Sequence, residues 1–173
     1  MKKKLISLVL AVLLISSFTI GCASTNTAPC NCGCDCSRGI GESDLSYVMG
    51  KEWKLIQVHV NDTFSREVLF DRKTLSKEDA GNIFILKLEK EMLSGTAAPN
   101  NYTGPYTVNE VEKTITVMPM RTTLMASIWQ PEKLREQDYF TYLNNAYKWS
   151  VSNGRLLINS KTAEGKEIVL TYE

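Results

Sequence analysis

The sequence predicts an α+β domain that is mainly β, built as a small antiparallel sheet or open barrel with one packed helix. Two observations predict this class. Residues 51–173 alternate short runs of strand-forming side chains with turn residues such as Asn61-Asp62 and Asn153-Gly154. Only one stretch, Pro131 to Ala146, repeats apolar residues at helical spacing. The domain therefore consists of strands joined by tight turns, with a helix between two groups of strands.

The first group contains five strands. The opening strand carries Trp53 and Leu55 among strand-forming neighbours, and turns with Gly, Asn and Glu-Lys residues separate the others. The predicted strands are Glu52–Val60, Asn82–Glu89, Met92–Thr96, Gly104–Val108 and Thr114–Val117. Between the first two lies the polar stretch Asp71 to Gly81, where Ser76 either caps a short helix or belongs to a loop.

The helix and three strands complete the domain. Pro131 suits the first helical turn, where an N–H is not needed. The apolar residues of the predicted helix are Leu134, Tyr139, Phe140, Leu143 and Tyr147. The last strands form a meander of hairpins: Lys148–Ser152, Arg155–Ser160 and Glu167–Tyr172.

The N-terminus carries the pattern of a lipoprotein signal. Three lysines, Lys2 to Lys4, precede a short apolar run from Leu5 to Ile15. Gly21 stands directly before Cys22, so residues 1–21 are predicted to be the signal peptide and Cys22 the lipidated residue. Thr19 departs from the Leu, Val or Ala that is usual three residues before the cysteine. An ordinary signal peptide or an uncleaved anchor therefore stays open as an alternative.

The charge of the mature chain argues against nucleic-acid binding. The whole chain has 20 Lys plus Arg and 19 Asp plus Glu, and loss of Lys2 to Lys4 leaves 17 against 19, a formal charge of −2. Such a chain has no overall attraction to nucleic acid, and it shows no polybasic patch for anionic lipid. The membrane is then reached through the N-terminal lipid. Ala23 is not the Asp that retains enterobacterial lipoproteins at the inner membrane, which favours the outer membrane where one exists.

Residues 22–50 are predicted to be a flexible, Cys-rich tether, because they hold too few large apolar side chains to offset the entropy of ordering. Four cysteines stand at alternate positions: Cys30, Cys32, Cys34 and Cys36. Thiolates suit zinc or copper(I), whereas exposed thiols in an oxidising compartment tend to form disulfides. Metal binding, disulfides, extra acylation and no role all stay open, and no other cofactor is expected.

The segment Gly95 to Tyr106 resembles the signature of the META-domain family: Gly, two small residues, Gly-Cys-Asn, a variable pair, then small-Gly-x-Tyr. Thr122 to Ala126 resembles the family's Thr-Thr-x-Met-Ala-Cys segment. The opening strand, the helix at Glu136 to Leu143 and the strand after Asn153 also fit, with an insertion between Val60 and Ile83. The matching motif residues are Gly95, Asn100, Tyr102, Gly104, Tyr106, Thr122, Thr123, Met125 and Ala126.

Both cysteines of the family pattern are replaced, by Pro99 and Ser127, so residues 51–173 contain no cysteine pair for redox chemistry. The resemblance implies a small antiparallel β fold with a packed helix, as in the heat-shock protein HslJ. It further implies an envelope lipoprotein associated with stress tolerance. The fold is similar to that of lipid-anchored pilot proteins, which implies a partner protein. The resemblance supplies no catalytic residues.

Catalysis is not predicted from the residues either. His59 is the only histidine and has no Ser or Cys partner for a triad, and Ser127 lacks a nucleophile-elbow context. The tryptophans are expected to be buried, although an exposed Ile128-Trp129 pair would mark a contact surface. The preferred hypothesis is a non-enzymatic, lipid-anchored envelope protein that binds a partner or ligand. The alternative is a metal-binding or thiol-redox lipoprotein that acts through the tether cysteines.

Overall fold

The structure, a computed structural model, describes residues 45–62, 66–76, 81–126, 131 and 133–173. The predicted signal peptide, Cys22, the four tether cysteines and residues 127–130 lie outside them. The helical elements are α1 (Leu45–Val48), a 3-10 helix (Arg72–Thr74) and α2 (Glu136–Asn144). The strands are β1 (Glu52–Val60), β2 (Val68–Asp71), β3 (Ile85–Glu89), β4 (Met92–Thr96), β5 (Asn101–Asn109), β6 (Thr114–Val117), β7 (Arg121–Thr122), β8 (Lys148–Ser152), β9 (Arg155–Lys161) and β10 (Glu167–Tyr172).

Eight strands close into an antiparallel barrel in the order β1-β10-β9-β8-β6-β5-β4-β3. Strand β1 closes it, because it pairs with β10 as well as with β3. At the seam Lys54 N donates to Glu173 O at 2.8 Å, and Glu173 N donates to Lys54 O at 2.9 Å. The predicted mainly β, antiparallel class with one long helix is confirmed. The predicted small sheet or open barrel is corrected to a closed barrel.

Two short strands lie beside the barrel and were not predicted. Strand β2 pairs with β1 at Gln57 to His59, and β7 pairs with β5 at Tyr102 and Thr103. Neither is long enough to show alternation in sequence. The 3-10 helix occupies the start of the polar Asp71–Gly81 stretch. Its cap is Asp71, whose side chain accepts from Lys73 N at 3.0 Å. The short helix or loop predicted to follow Ser76 falls on residues 77–80, outside the described residues.

Helix α2 is shorter than the predicted span of Pro131 to Ala146. Leu134 N donates to Pro131 O in a separate turn, and Arg135 has an extended backbone with φ −77° and ψ 151°. The helix therefore begins at Glu136, and it buries Tyr139, Phe140, Tyr142 and Leu143. No helix in the described part of the chain is long and apolar enough to span a bilayer.

The core is made by alternate residues of the strands together with α2. Trp53 and Trp149 are buried, as predicted, while Trp129 lies outside the described residues. Trp53 Nε1 donates to the carbonyl of Val48 at 2.8 Å, and Val48 is fully buried at the end of α1. Residues 45–50, the end of the predicted tether, therefore belong to the packed structure.

Candidate functional site

Asn100 joins the β4–β5 turn to the segment Thr122–Ala126 and to α2. Its buried side chain uses every hydrogen-bonding group. The Oδ1 atom accepts from Thr123 Oγ1 at 2.7 Å and from Met125 N at 2.7 Å. The Nδ2 atom donates to Met125 O at 3.0 Å and to Glu136 Oε2 at 2.7 Å. The backbone of Met125 is thus held through both its N–H and its carbonyl.

Glu136, the first residue of α2, completes this arrangement. Its Oε1 accepts from Ala98 N at 3.1 Å and from Asn100 N at 2.8 Å. A carboxylate in the first turn of a helix also interacts favourably with the helix dipole. We call the hydrogen-bonded pair the Asn100–Glu136 junction. The sequence predicts Asn100 in the motif and Glu136 in the helix, but it does not indicate that the two side chains pair.

Glycines of the signature make room for neighbouring side chains. A Cβ at Gly95 would lie 1.9 Å from Ile85 O and 2.5 Å from the Tyr102 hydroxyl. A Cβ at Gly104 would lie 2.9 Å from Met120 Cγ. Because Gly95 has no side chain, the Tyr102 hydroxyl can lie against it and donate to Ile85 O at 2.8 Å.

Three buried tyrosines form a hydrogen-bonded chain within the core. Tyr172 OH donates to Tyr139 OH at 3.4 Å, and the hydroxyls of Tyr139 and Tyr102 lie 3.0 Å apart. Burial raises the pKa of Tyr139 to about 12 and holds the pKa values of Tyr102 and Tyr172 well above their usual range. The phenols are neutral at physiological pH and act as structural groups.

Two of the remaining signature residues contribute to the fold. Tyr106 OH donates to Glu89 O at 2.8 Å, and Thr122 pairs with Tyr102 between β7 and β5. Ala126, by contrast, lies exposed beside α2. The structure therefore brings the two motif segments together around Asn100. The model of the META-domain family matches residues 46–172. The chain belongs to the META-domain family.

One solved structure supports the fold of this META domain, and a second one is similar to a lower degree. The chain is similar to an NMR structure of a protein from Burkholderia xenovorans, with a TM-score of 0.51 and 16% identity over 74% of this chain and 85% of that one. A crystal structure of a DUF4847 family protein from Bacteroides vulgatus gives a TM-score of 0.49 and 12% identity over 73% and 92% of the two chains. The search of curated proteins finds no match.

Beside the junction, the META domain displays apolar side chains. Leu124 is 95% exposed and Met125 is 53% exposed. We call Thr122–Ala126 the display segment. A cleft of about 420 Å³ separates it from the start of α2, and its wall includes Arg135, Gln137 and Phe140. The segment therefore combines a backbone fixed by Asn100 with side chains open to solvent.

A second cavity, of about 380 Å³, lies beside β1, β2, β9 and β10, and we call it the basic pocket. Its charged and imidazole residues are His59, Arg66, Asp71, Arg72, Lys73, Arg155 and Glu173. Arg72 is held in the wall, because its Nε donates to Leu55 O at 2.5 Å and its Nη2 to Ile83 O at 2.6 Å. Burial, and then the charge of Arg66, lower the pKa of His59.

The basic pocket could not be predicted from the sequence, since its cations stand in no motif and come from distant parts of the chain. Four of its charged residues belong to the insertion between Val60 and Ile83: Arg66, Asp71, Arg72 and Lys73. Within the described ranges, no group of three or more His, Cys, Asp or Glu side chains is arranged to hold a metal ion.

Proposed function

We propose that this META-domain protein is a lipid-anchored, non-enzymatic component of the cell envelope that binds a partner protein through its display segment. The observation that carries the proposal is the 95% exposure of Leu124 directly before Met125. Asn100 holds the backbone of Met125 through its N–H and its carbonyl. An exposed apolar side chain gains free energy when a partner buries it. A backbone that is already ordered loses little entropy on binding. The display segment therefore has the properties of a preorganised contact surface.

The bonding of the junction supports a binding role over a catalytic one. A general base needs a group that can reach a substrate proton. Both oxygens of Glu136 instead accept hydrogen bonds from Ala98 and Asn100, and Asn100 uses its whole amide on protein groups. The side chains of Asn100 and Glu136, which line the cleft, are thus engaged in holding the fold together.

The proposed lipid anchor is inferred from the N-terminal sequence. Lys2 to Lys4, the apolar run and Gly21-Cys22 form the lipoprotein pattern, and Ala23 favours the outer membrane. A protein tethered there meets envelope partners, and membership of the META family favours a role in envelope integrity or stress tolerance. The anchor is tested by mass spectrometry of the mature N-terminus and by fractionation of a Cys22→Ser variant. An acylated Cys22 and release of the variant from membranes support it, whereas an unlipidated N-terminus contradicts it.

The binding surface is tested by photo-crosslinking in intact cells. A photoreactive amino acid at position 124 should give one adduct of defined mass, and Met125→Asp in the same chain should abolish that adduct. The matched control is position 111, because Val111 is 93% exposed on the turn between β5 and β6. Equal adducts at positions 124 and 111, or no adduct at position 124, would contradict the proposed surface.

The tether cysteines support a second candidate function, a metal-binding or thiol-redox lipoprotein. Soft thiolates at alternate positions are zinc or copper(I) ligands by type. The test compares metal content and thiol titration of the mature protein with a variant in which Cys30, Cys32, Cys34 and Cys36 are all Ser. A parent protein without metal, and a variant with the parent's phenotype, would remove this candidate.

A further inference from the structure

The described residues that line the basic pocket carry more positive charge than their own carboxylates neutralise. Among the described residues, the ion pairs do not include Arg66, Lys73 or Arg155. The two carboxylates among the described lining residues, Asp71 and Glu173, have other roles. Asp71 accepts from the backbone N–H of Lys73 as the cap of the 3-10 helix, and Glu173 stabilises the charge of Arg72. Three cations thus border one cavity in a protein whose mature charge is slightly negative.

The shape and lining of the basic pocket narrow the class of ligand. Its volume of about 380 Å³ lies in the lower range of small-molecule sites. Apolar surface from Ile56 and Leu157 lies next to the cations, and Ser152 and Thr171 add hydroxyl groups. A carboxylate carries a single charge, whereas a phosphate monoester approaches two and offers more oxygens to arginine forks.

We propose that the basic pocket binds a phosphate group, carried by a small ester whose uncharged part packs against Ile56 and Leu157. Arg66, Lys73 and Arg155 bind the phosphate oxygens, and Arg72 shapes the wall through its bonds to Leu55 O and Ile83 O. The site is independent of the display segment, so it stands or fails separately from the proposed partner surface.

His59 provides a reporter inside the pocket. It is the only histidine of the chain, so its imidazole signals in an NMR spectrum need no assignment. Its Nδ1 is buried without a hydrogen-bond partner in the described structure, which disfavours the protonated ring. The other charged groups that line this pocket are Arg66, Asp71, Arg72, Lys73, Arg155 and Glu173. A phosphate bound among them raises the pKa of His59, because a nearby anion favours the imidazolium form.

The test titrates the intact lipidated protein, in an uncharged detergent, with glycerol 3-phosphate and with short-chain phosphatidic acid, both of which are phosphate monoesters. Saturable shifts of the His59 signals and a rise in its pKa are expected with at least one of them. Arg155→Gln and Lys73→Gln should each weaken binding about tenfold, since each removes a charge-assisted hydrogen bond. Arg66 is left intact because its charge contributes, after burial, to the lowered pKa of His59 in the unbound protein. Lys90→Gln, an exposed cation of the β3–β4 turn, is the matched control and should bind like the parent.

The two ligands distinguish the sources of the phosphate. Tighter binding of glycerol 3-phosphate indicates a soluble ester, and tighter binding of phosphatidic acid indicates a lipid headgroup. The proposal is overturned if sodium chloride of equal ionic strength causes the same shifts. It is also overturned if Arg155→Gln and Lys73→Gln both bind like the parent while a thermal melt shows that they are folded.

Discussion

Two concave regions of this molecule have similar volumes and use their polar groups in opposite ways. The cleft beside the Asn100–Glu136 junction measures about 420 Å³ and the basic pocket about 380 Å³. At the junction, Asn100 and Glu136 bind each other and the backbone of neighbouring segments. In the basic pocket, the side chains of Lys73 and Arg155 have no carboxylate partner among the described ion pairs.

The difference separates residues that build the fold from residues available to a ligand. A buried polar group contributes to stability when its partners lie within the protein, and removal of one partner leaves the other unsatisfied. Exposed charges contribute little to stability but remain free to bind an ion. The signature region should therefore tolerate few substitutions, whereas the basic pocket should tolerate many and lose binding instead.

The largest effect is expected at Gly95. In Gly95→Ala the new Cβ would overlap Ile85 O, a backbone atom that cannot move aside, and we expect a loss of about 4 kcal/mol or more of unfolding free energy. Gly104→Ala is the matched control. Its Cβ mainly meets the flexible side chain of Met120, so the expected loss is about 1–2 kcal/mol. Urea unfolding of the intact protein measures both, and equal losses would contradict the packing described at Gly95.

The second effect tests the junction itself. Asn100→Ala removes four hydrogen bonds and leaves Met125 N and Glu136 Oε2 short of a partner, so a loss of about 3 kcal/mol is expected. The control is the neighbouring Asn101, which is exposed and whose side chain bonds only Thr96 at 3.2 Å in the described structure. Asn101→Ala should cost less than about 1 kcal/mol. If Asn100→Ala lost no more unfolding free energy than Asn101→Ala, the junction would not stabilise the fold as described.

The third effect is a loss of stability in alkali. The folded-state pKa of Tyr139 is raised to about 12, and the pKa values of Tyr102 and Tyr172 are also raised. Stability is therefore fully present below pH 10, where tyrosine is neutral in both states, and is lost as the pH rises through about 12. Tyr139 alone accounts for about 2–3 kcal/mol of that loss.

Circular dichroism and tyrosinate absorbance, followed together, measure this transition. Ionisation of the buried tyrosines should coincide with loss of structure. At Tyr147, a partly exposed phenol, burial and then the hydrogen bond to Glu167 also raise the pKa, so Tyr147→Phe should shift the midpoint only slightly. Complete ionisation of all tyrosines in a protein that keeps its structure would contradict the buried chain of hydroxyls.

The smallest effect on stability is expected in the basic pocket. Arg155→Gln and Lys73→Gln should each change the unfolding free energy by no more than about 0.5 kcal/mol, because both side chains are exposed and unpaired within the described residues. Urea unfolding under the conditions used for Asn100→Ala gives the comparison. A loss above about 1.5 kcal/mol would show that these cations support the fold.

Much of the fold could be predicted because local patterns determine it. Strands β1, β4, β6, β8 and β10 have the predicted bounds, since alternation and turn residues coincide at their ends. Asn153 and Gly154 have φ values of 51° and 73°, as a tight hairpin turn requires. Closure of the barrel could not be predicted in this way. It depends on pairing between β1 and β10, which lie at opposite ends of the domain sequence.

The site was less predictable than the fold. The family resemblance identified Asn100 and Thr123, but the bonds of Asn100 to Glu136 and Met125 depend on how three segments meet. The basic pocket has no local signal, because Arg66 and Arg155 are single charges in unrelated parts of the sequence.

The most direct test of the contrast between the two regions measures two quantities in two variants. Unfolding free energy and affinity for glycerol 3-phosphate are determined for Asn100→Ala and Arg155→Gln, at a temperature where both remain folded. The account predicts that Asn100→Ala loses about 3 kcal/mol of stability and keeps the parent's affinity, whereas Arg155→Gln keeps its stability and binds about tenfold more weakly. The contradicting result is Arg155→Gln losing as much stability as Asn100→Ala while its affinity stays that of the parent.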